Sequence, residues 1–350
     1  MRKLLVIGPA WVGDMVMAQS LFKAVKRRAP ATEIHVAAPG WSLPLVERMP
    51  EVSRGWALDV PHGAAGIRAR LRLGRRLRSE GFDQAIVLPS SFKSALVPFW
   101  AGVPRRRGYV GEMRYGLLNE PRRDRGKHEA QTVERFVALA DPRPSSEPPD
   151  IEPPRLVVDA SRTRETAARL GLDVTRPVVA LCPGAEYGPA KQWPLASYAE
   201  LARRLAATNR DVWIFGSAKD ADAGAAIRRH GPAQGLHDLC GRTSLGEAID
   251  LLALTQAVVT NDSGLMHVAA ALDRPVIALY GSSSPSVTPP LSARAQILEV
   301  ELDCRPCFER TCPLGHLNCL KLITVDRVLE ALGAAAGTAS TPFRTAAGSS

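Results

Sequence analysis

The sequence predicts an α/β protein made of two parallel-sheet domains that face one another across a cleft. Three observations carry this reading. The chain opens with an apolar run at 3–7, a glycine-bearing turn at 8–13 and a helical pattern leading to a second apolar run at 33–38, the order of a β-α-β unit. Residues 141–155 read DPRPSSEPPDIEPPR, six prolines in fifteen residues, which no helix interior or inner strand tolerates. Beyond it the strand–turn–helix order restarts at 178. A length of 350 residues agrees, at roughly 150 residues per domain.

Each element has its own reason. Residues 3–7 are apolar and stop at Gly8-Pro9. A helix is expected from about Asp14, because Ala18, Leu21, Phe22 and Val25 fall at i, i+3, i+4 and i+7 and make one buried face. Residues 33–38 and 85–88 read as buried strands. In the second half 178–182, 212–215, 257–260 and 276–280 read as strands, and 197–207 and 265–272 as helices. The first domain is expected over 1–160, with a linker or extended surface connection at 141–155. The second is expected over 161–332. From Gly333 the chain is low in complexity, and 333–350 is expected to be a disordered tail. A cleft between two such sheets is a usual place for a ligand.

Composition excludes several classes. At 45% apolar and 23% charged the chain is ordinary for a globular protein, not a fibre or a disordered chain. No apolar run approaches the roughly 18–20 residues of a membrane span. The N-terminal run is too soon broken to read as a signal peptide, so a reducing cytoplasm is expected. The net charge of +10 is unevenly placed: residues 1–160 carry 26 Lys and Arg against 17 Asp and Glu, residues 161–350 carry 19 against 18. Arg68, Arg70, Arg72, Arg75, Arg76 and Arg78 form the densest stretch. These arginines are either solvated helix faces or the footprint of an anionic partner of the first domain.

The turn Asn261-Asp262-Ser263-Gly264-Leu265-Met266-His267 runs from a strand end into a helix start. Asp262 or Ser263 can cap that helix, and Gly264 lets a ligand approach the backbone. Free amides and the positive helix end then make an anion site. Lys191 is the only cation of the long loop after 178–182, placed to neutralise a phosphate. Neither a Walker A nor a dinucleotide fingerprint is present, which disfavours a nicotinamide dehydrogenase. Asp14 lies where the first glycine turn becomes a helix, either as an N-cap or as a general base at the cleft mouth.

The segments MRKLLVIGPAWVGDMVMAQSL, LPSSFKSALVPFWAGVPRRRGYVGEMRYGLLNE, LCPGAEYGPAKQWP, FGSAKD and TNDSGLMHVAAALDRPVIALYGSSSPSVTPPLS resemble the lipopolysaccharide heptosyltransferases of glycosyltransferase family nine, above all the group that adds the second heptose. The resemblance covers roughly 1–330. It implies a GT-B fold, two Rossmann-like domains with the donor on the second, and inverting transfer of heptose from ADP-heptose to the first heptose of the Kdo–lipid A core. Addition of a first or third heptose is the alternative. By this resemblance Asp14 is the catalytic base, and Lys191 neutralises the diphosphate. Asp262, Ser263, Gly264, Leu265 and His267 form the donor turn, and Thr243 falls near the adenine. Relatives that add the first heptose have a glutamate after the Gly216 turn. This chain has Ser217-Ala218-Lys219-Asp220, so the ribose contact stays unassigned. No D-x-D cluster sits at either turn, so no catalytic cofactor is expected. The basic first domain suits a phosphorylated acceptor at the inner face of the cytoplasmic membrane, held peripherally, with Lys93 and Arg114 as contacts and Arg105 to Arg107 as further ones.

Cys304, Cys307, Cys312 and Cys319 lie within sixteen residues, with His316 among them. A shared zinc, an iron–sulfur ligation, free thiols and disulfides all remain open on spacing, since only one C-x-x-C pair exists. Any metal there is expected to be structural. With the arginines, such a site also admits a metal-bearing nucleic-acid-binding protein. That reading leaves Asp14 and the 261–267 turn unexplained and finds no aromatic RNA-binding signature, so no nucleic-acid partner is expected.

Overall fold

The computed structural model describes residues 2–60, 65–124, 129–143 and 147–337. Two parallel sheets of six strands each form the frame. The first holds β1 (Lys3–Ile7), β2 (Glu33–Ala38), β3 (Val52–Ala57), β4 (Gln84–Val87), β5 (Arg105–Tyr109) and β6 (Glu120–Arg122), in the order β3-β2-β1-β4-β5-β6. Its helices are α1 (Val12–Arg28), α2 (Leu43–Val46), α3 (Ile67–Leu77), α4 (Leu96–Trp100) and α5 (Thr132–Ala138). Then come α6 (Ala160–Arg169), β7 (Val178–Cys182), α7 (Leu195–Ala206), β8 (Asp211–Ile214), α8 (Ala221–His230), β9 (Leu236–Asp238) and α9 (Leu245–Leu252). They are followed by β10 (Ala257–Asn261), α10 (Gly264–Ala271), β11 (Val276–Leu279), β12 (Ala295–Leu298), α11 (Asn318–Lys321) and α12 (Val325–Gly337). The second sheet runs β12-β11-β10-β7-β8-β9.

The central strands β1, β7, β10 and β11 are buried almost throughout, as strands covered by helices on both faces must be. Their apolar runs are what made them legible. Helix α1 departs from the expected single buried face. Ten of its seventeen residues are buried, because it packs against its own sheet, against α5 and against α10 of the second domain. Val25, expected inside, is only partly covered. One apolar core consequently runs through both domains, from Leu4 and Val36 by way of Phe22 to Val258 and Met266.

Two expectations need correction. Helix α1 starts at Val12 with Trp11 as its N-cap, so Asp14 lies in the first turn and not at the N-cap position. The disordered tail expected from Gly333 starts too early: α12 continues to Gly337, and Ala335 is buried against the second core. The run Ala334-Ala335-Ala336 has high helix propensity, which a low-complexity reading discounts. Residues 338–350 lie outside the described residues. The proline-rich connection is laid along α1. Gln19 donates to the Arg155 carbonyl at 2.7 Å and accepts from its amide, Ser20 donates to the Glu152 carbonyl, and Lys23 pairs with Glu152.

A buried ion pair also joins the domains. The Arg48 guanidinium, beyond α2, reaches both carboxylate oxygens of Asp250 in α9 at 2.7 and 3.0 Å and the Gly246 carbonyl at 3.0 Å. Arg162 shares Asp250 at 2.9 Å. Among the described residues no helix is long and apolar enough to cross a membrane.

Candidate functional site

In a parallel sheet every strand ends on the same edge. The helices α1 and α10 begin at those edges of their two sheets, and here the two beginnings meet. A Cβ on Gly13 would lie 2.6 Å from His267 Cδ2, and one on Gly264 would lie 2.7 Å from Val12 Cβ. Only glycine at both places lets the helix ends approach so closely. The contact brings the Asp14 turn of the first domain against the 261–267 turn of the second, so Asp14 follows the residue that touches His267.

Strand β10 hands directly into α10, and Ser263 takes the N-cap position. Its side chain does not cap the helix, contrary to the sequence reading, nor does that of Asp262. The Ser263 hydroxyl lies 3.2 Å from Thr260 Oγ1. The Met266 amide turns back to the Ser263 carbonyl at 3.2 Å, and the Gly264 and Leu265 amides stand at the start of α10, where a helix end favours negative charge. Asp262 is 7% exposed and accepts from Lys191 Nζ at 2.5 Å and from Ser283 Oγ at 2.6 Å. The two cleft residues singled out from separate segments are thus an ion pair. Lys191 also stands over the Tyr187 ring, 5.0 Å from its centre. His267 is buried; desolvation lowers its pKa to about 4 against the opposing pull of Asp262, so the imidazole is neutral at neutral pH.

Residues to which sequence reasoning gave no role of their own hold this arrangement. Asn261 is fully buried. Its amide donates to the Pro183 carbonyl at 2.7 Å, and its oxygen accepts from the Trp193 amide at 3.1 Å and the Tyr198 hydroxyl at 3.0 Å. It therefore fixes the Lys191 loop to β10. Its signal in the sequence was a polar residue ending an apolar strand. Ser283 follows β11 in Gly281-Ser282-Ser283, a glycine turn after a strand like the others.

Thr243 stands just before α9, whose N-cap Ser244 and Glu247 form a capping box. It follows β9, three strands along the same edge from β10, about 14 Å at the usual strand spacing. Between them the loops after β7, β8 and β9 are drawn together at glycines. A Cβ on Gly184 would lie 2.7 Å from Asp220, and one on Gly241 would lie 3.0 Å from the Ala218 backbone.

The structure corrects the acceptor residues of the first domain. Arg114 is 1% exposed, and its guanidinium is taken up by the carbonyls of Tyr109, Pro89 and Ser91 and by the Ser94 hydroxyl. Burial lowers its pKa to about 10. It is a strut between the loops after β4 and β5 and has no face left for a ligand. Arg107 is likewise spent, 2% exposed against Glu120 and the Leu139 carbonyl. Arg105 pairs with Glu120, and Arg106 donates to the Leu117 and Val103 carbonyls. Lys93 is half-buried on the loop after β4, at the cleft edge. Arg68, Arg72, Arg75, Arg76 and Arg78 are exposed on and just after α3, whereas Arg70 is buried and donates to the Ala65 carbonyl.

The four cysteines do converge. Cys304, Cys307, Cys312 and Cys319 line one cavity with His316 and Arg305. Yet among the described residues no group of three or more His, Cys, Asp or Glu side chains is placed to hold a metal ion. The zinc or iron–sulfur expectation thus finds no support in this arrangement. Backbone amides, that of Leu317 foremost, hold the Cys312 thiol below its usual pKa, Cys319 is buried in the second core, and the Arg305 guanidinium occupies the wall. This segment instead braces the loops after β7 and β11. Arg305 donates to the Gly281 and Ser283 carbonyls, the Phe308 amide to the Ser282 carbonyl, and the Ala190 amide to the Arg310 carbonyl.

Comparison with known proteins agrees with this geometry. A family model described as glycosyltransferase family 9 (heptosyltransferase) matches residues 70–318. The chain is 46% identical over 341 residues to lipopolysaccharide heptosyltransferase 2 of Escherichia coli, covering 95% of this chain and 98% of that one. It is 46% identical over 308 residues to lipooligosaccharide heptosyltransferase 2 of Haemophilus influenzae, covering 85% and 88%. The solved structure of E. coli ADP-heptose LPS heptosyltransferase II superposes with a TM-score of 0.86 at 43% identity, covering 97% of this chain and all of that one. Two facing parallel sheets are thus the GT-B arrangement of that structure, and the chain is a glycosyltransferase that belongs to family 9, the heptosyltransferases.

Proposed function

We propose that the chain moves heptose from ADP-heptose to the first heptose of the lipopolysaccharide inner core, with inversion. What carries this reading is near-full-length identity to two heptosyltransferase 2 proteins, together with the meeting of the Asp14 and 261–267 turns.

In this reading ADP-heptose lies along the C-terminal edge of the second sheet. Its adenosine end is near Thr243 and its diphosphate is at Lys191 and the first amides of α10. The acceptor hydroxyl attacks the anomeric carbon from the face opposite the diphosphate. The carbon–oxygen bond to the diphosphate breaks, ADP leaves, and the acceptor proton passes to the Asp14 carboxylate. Lys191 and the helix amides take up the negative charge of the departing ADP. Neutral His267, between the two turns, shapes the site without adding charge. The acceptor belongs to the first domain, where Lys93 and the exposed arginines of α3 suit its phosphates. Work at the inner face of the cytoplasmic membrane, by peripheral electrostatic contact, follows from that chemistry.

The test is incubation with ADP-heptose and core acceptors bearing zero, one or two heptoses. Transfer to the one-heptose acceptor is expected. Preference for the empty or two-heptose acceptor assigns the chain to the first or third addition instead, and no transfer to any of them refutes the reading.

A further inference from the structure

Five aromatic side chains stand exposed among the described residues: Trp11, Trp41, Phe92, Phe99 and Tyr115. All belong to the first domain. Four of them stand on loops that leave one edge of its sheet: Trp11 after β1, Trp41 after β2, Phe92 after β4 and Tyr115 after β5. These four strands are consecutive in the sheet, so the loops span about 14 Å in a row. This is the edge from which α1 delivers Asp14 to the second domain.

The exposure is built in. Tyr115 is 70% exposed and its neighbour Met113 83%, in a segment where Glu112 and Met113 take left-handed backbone at φ 46° and 52°. Buried Arg114 ties that segment to the Phe92 loop, and the Phe92 amide donates to Glu112 at 2.7 Å. A fold that spends a buried guanidinium to hold bulky apolar side chains in solvent has a ligand for them, since exposed apolar surface gathered in one place marks a binding site.

We infer that Trp11, Trp41, Phe92 and Tyr115 form a carbohydrate-binding rim on which the sugar rings of the acceptor stack on their way to Asp14. The inference rests on the acceptor assignment made above and deepens it. A pyranose ring presents a face of weakly positive C–H groups, which lies well against the negative face of an aromatic ring. The row is long enough for several rings. It borders the reacting turn, since Trp11 directly precedes Val12, which touches the second domain at Gly264. A flat bilayer does not reach a side chain beside that inter-domain contact, so the rim favours an oligosaccharide over a lipid surface.

The experiment uses the full-length protein and a deacylated, phosphorylated core oligosaccharide bearing one heptose. Wild-type transfer is measured first; its absence overturns the proposed reaction and the rim with it. Given transfer, Trp41→Ala and Tyr115→Ala should each raise the acceptor KM about tenfold. Turnover at saturating acceptor and the Kd for ADP should stay unchanged. Trp41→Phe and Tyr115→Phe should restore most of the affinity, and Phe99→Ala, off this edge on α4, should change neither. Unaltered acceptor KM in both alanine variants overturns the rim alone. So does a loss seen only with acylated acceptor in anionic vesicles, which identifies the aromatic row as a membrane contact.

Discussion

The Lys191–Asp262 pair makes the sharpest prediction. The Lys191 ammonium is held by Asp262 at 2.5 Å, with the two side chains 16% and 5% exposed. If the diphosphate uses Lys191, it must share or displace that carboxylate. Removing the cation and removing its carboxylate should then act on ADP in opposite directions. A hydrogen bond to a charged group contributes about 1.5–3 kcal/mol, so Lys191→Ala should raise the Kd for ADP roughly 10- to 150-fold. Asp262→Asn keeps the shape, leaves Ser283 a partner and frees the ammonium, so ADP should bind more tightly, by up to about tenfold, while turnover falls. Among the described residues Lys191→Ala also leaves a buried carboxylate with Ser283 Oγ as its hydrogen-bond donor, so its melting temperature should drop more than that of Asp262→Asn. Titration calorimetry with ADP, beside thermal unfolding, reads all three quantities. Equal loss of ADP affinity in both variants would refute the reasoning, because it would make the pair a structural unit and not a competition for one cation.

Other expectations follow from the same geometry. Asp14→Asn should lower turnover by about 10²–10⁴-fold with ADP affinity intact; near-normal turnover in the folded variant removes Asp14 from the proton transfer. His267 has a folded pKa of about 4, below the unfolded value of 6.5, so below pH 6.5 the unfolded chain takes up a proton that the folded chain refuses. Its share of stability is therefore lost as pH falls from 6.5 to about 4, by roughly 3 kcal/mol in all, and is unaffected above pH 7. In His267→Gln the acid slope of denaturant midpoints should flatten, and an unchanged slope would contradict a buried neutral imidazole. Arg48→Met leaves Asp250 buried with Arg162 alone and should cost about 3 kcal/mol in urea unfolding. A cost below 0.5 kcal/mol would mean that this inter-domain pair contributes little. Added salt should raise the acceptor KM more than the donor KM, because exposed charges are screened over roughly 8 Å at physiological ionic strength; equal sensitivity would leave the α3 arginines as solvated faces.

The central strands, the glycine turns and the restart of the pattern after 155 were legible because each is a local property. A strand covered on both faces must be apolar at consecutive positions, a turn at its end needs glycine, and proline breaks whatever it interrupts. Asp14, Lys191 and the 261–267 turn stood out for the same reason, as polar residues at strand ends of an α/β fold. Their mutual placement was not local. Nothing in the sequence shows that Lys191 and Asp262, seventy-one residues apart, share a hydrogen bond, or that Gly13 is glycine because His267 comes down on it from the other domain. Arginine is where sequence reading went furthest astray. A guanidinium on a basic stretch looks the same whether it stands open to solvent, as on α3, or is buried among carbonyls, as Arg114 and Arg107 are. Five donors on a long stem can satisfy either fate, and only the packing of distant loops around it decides which.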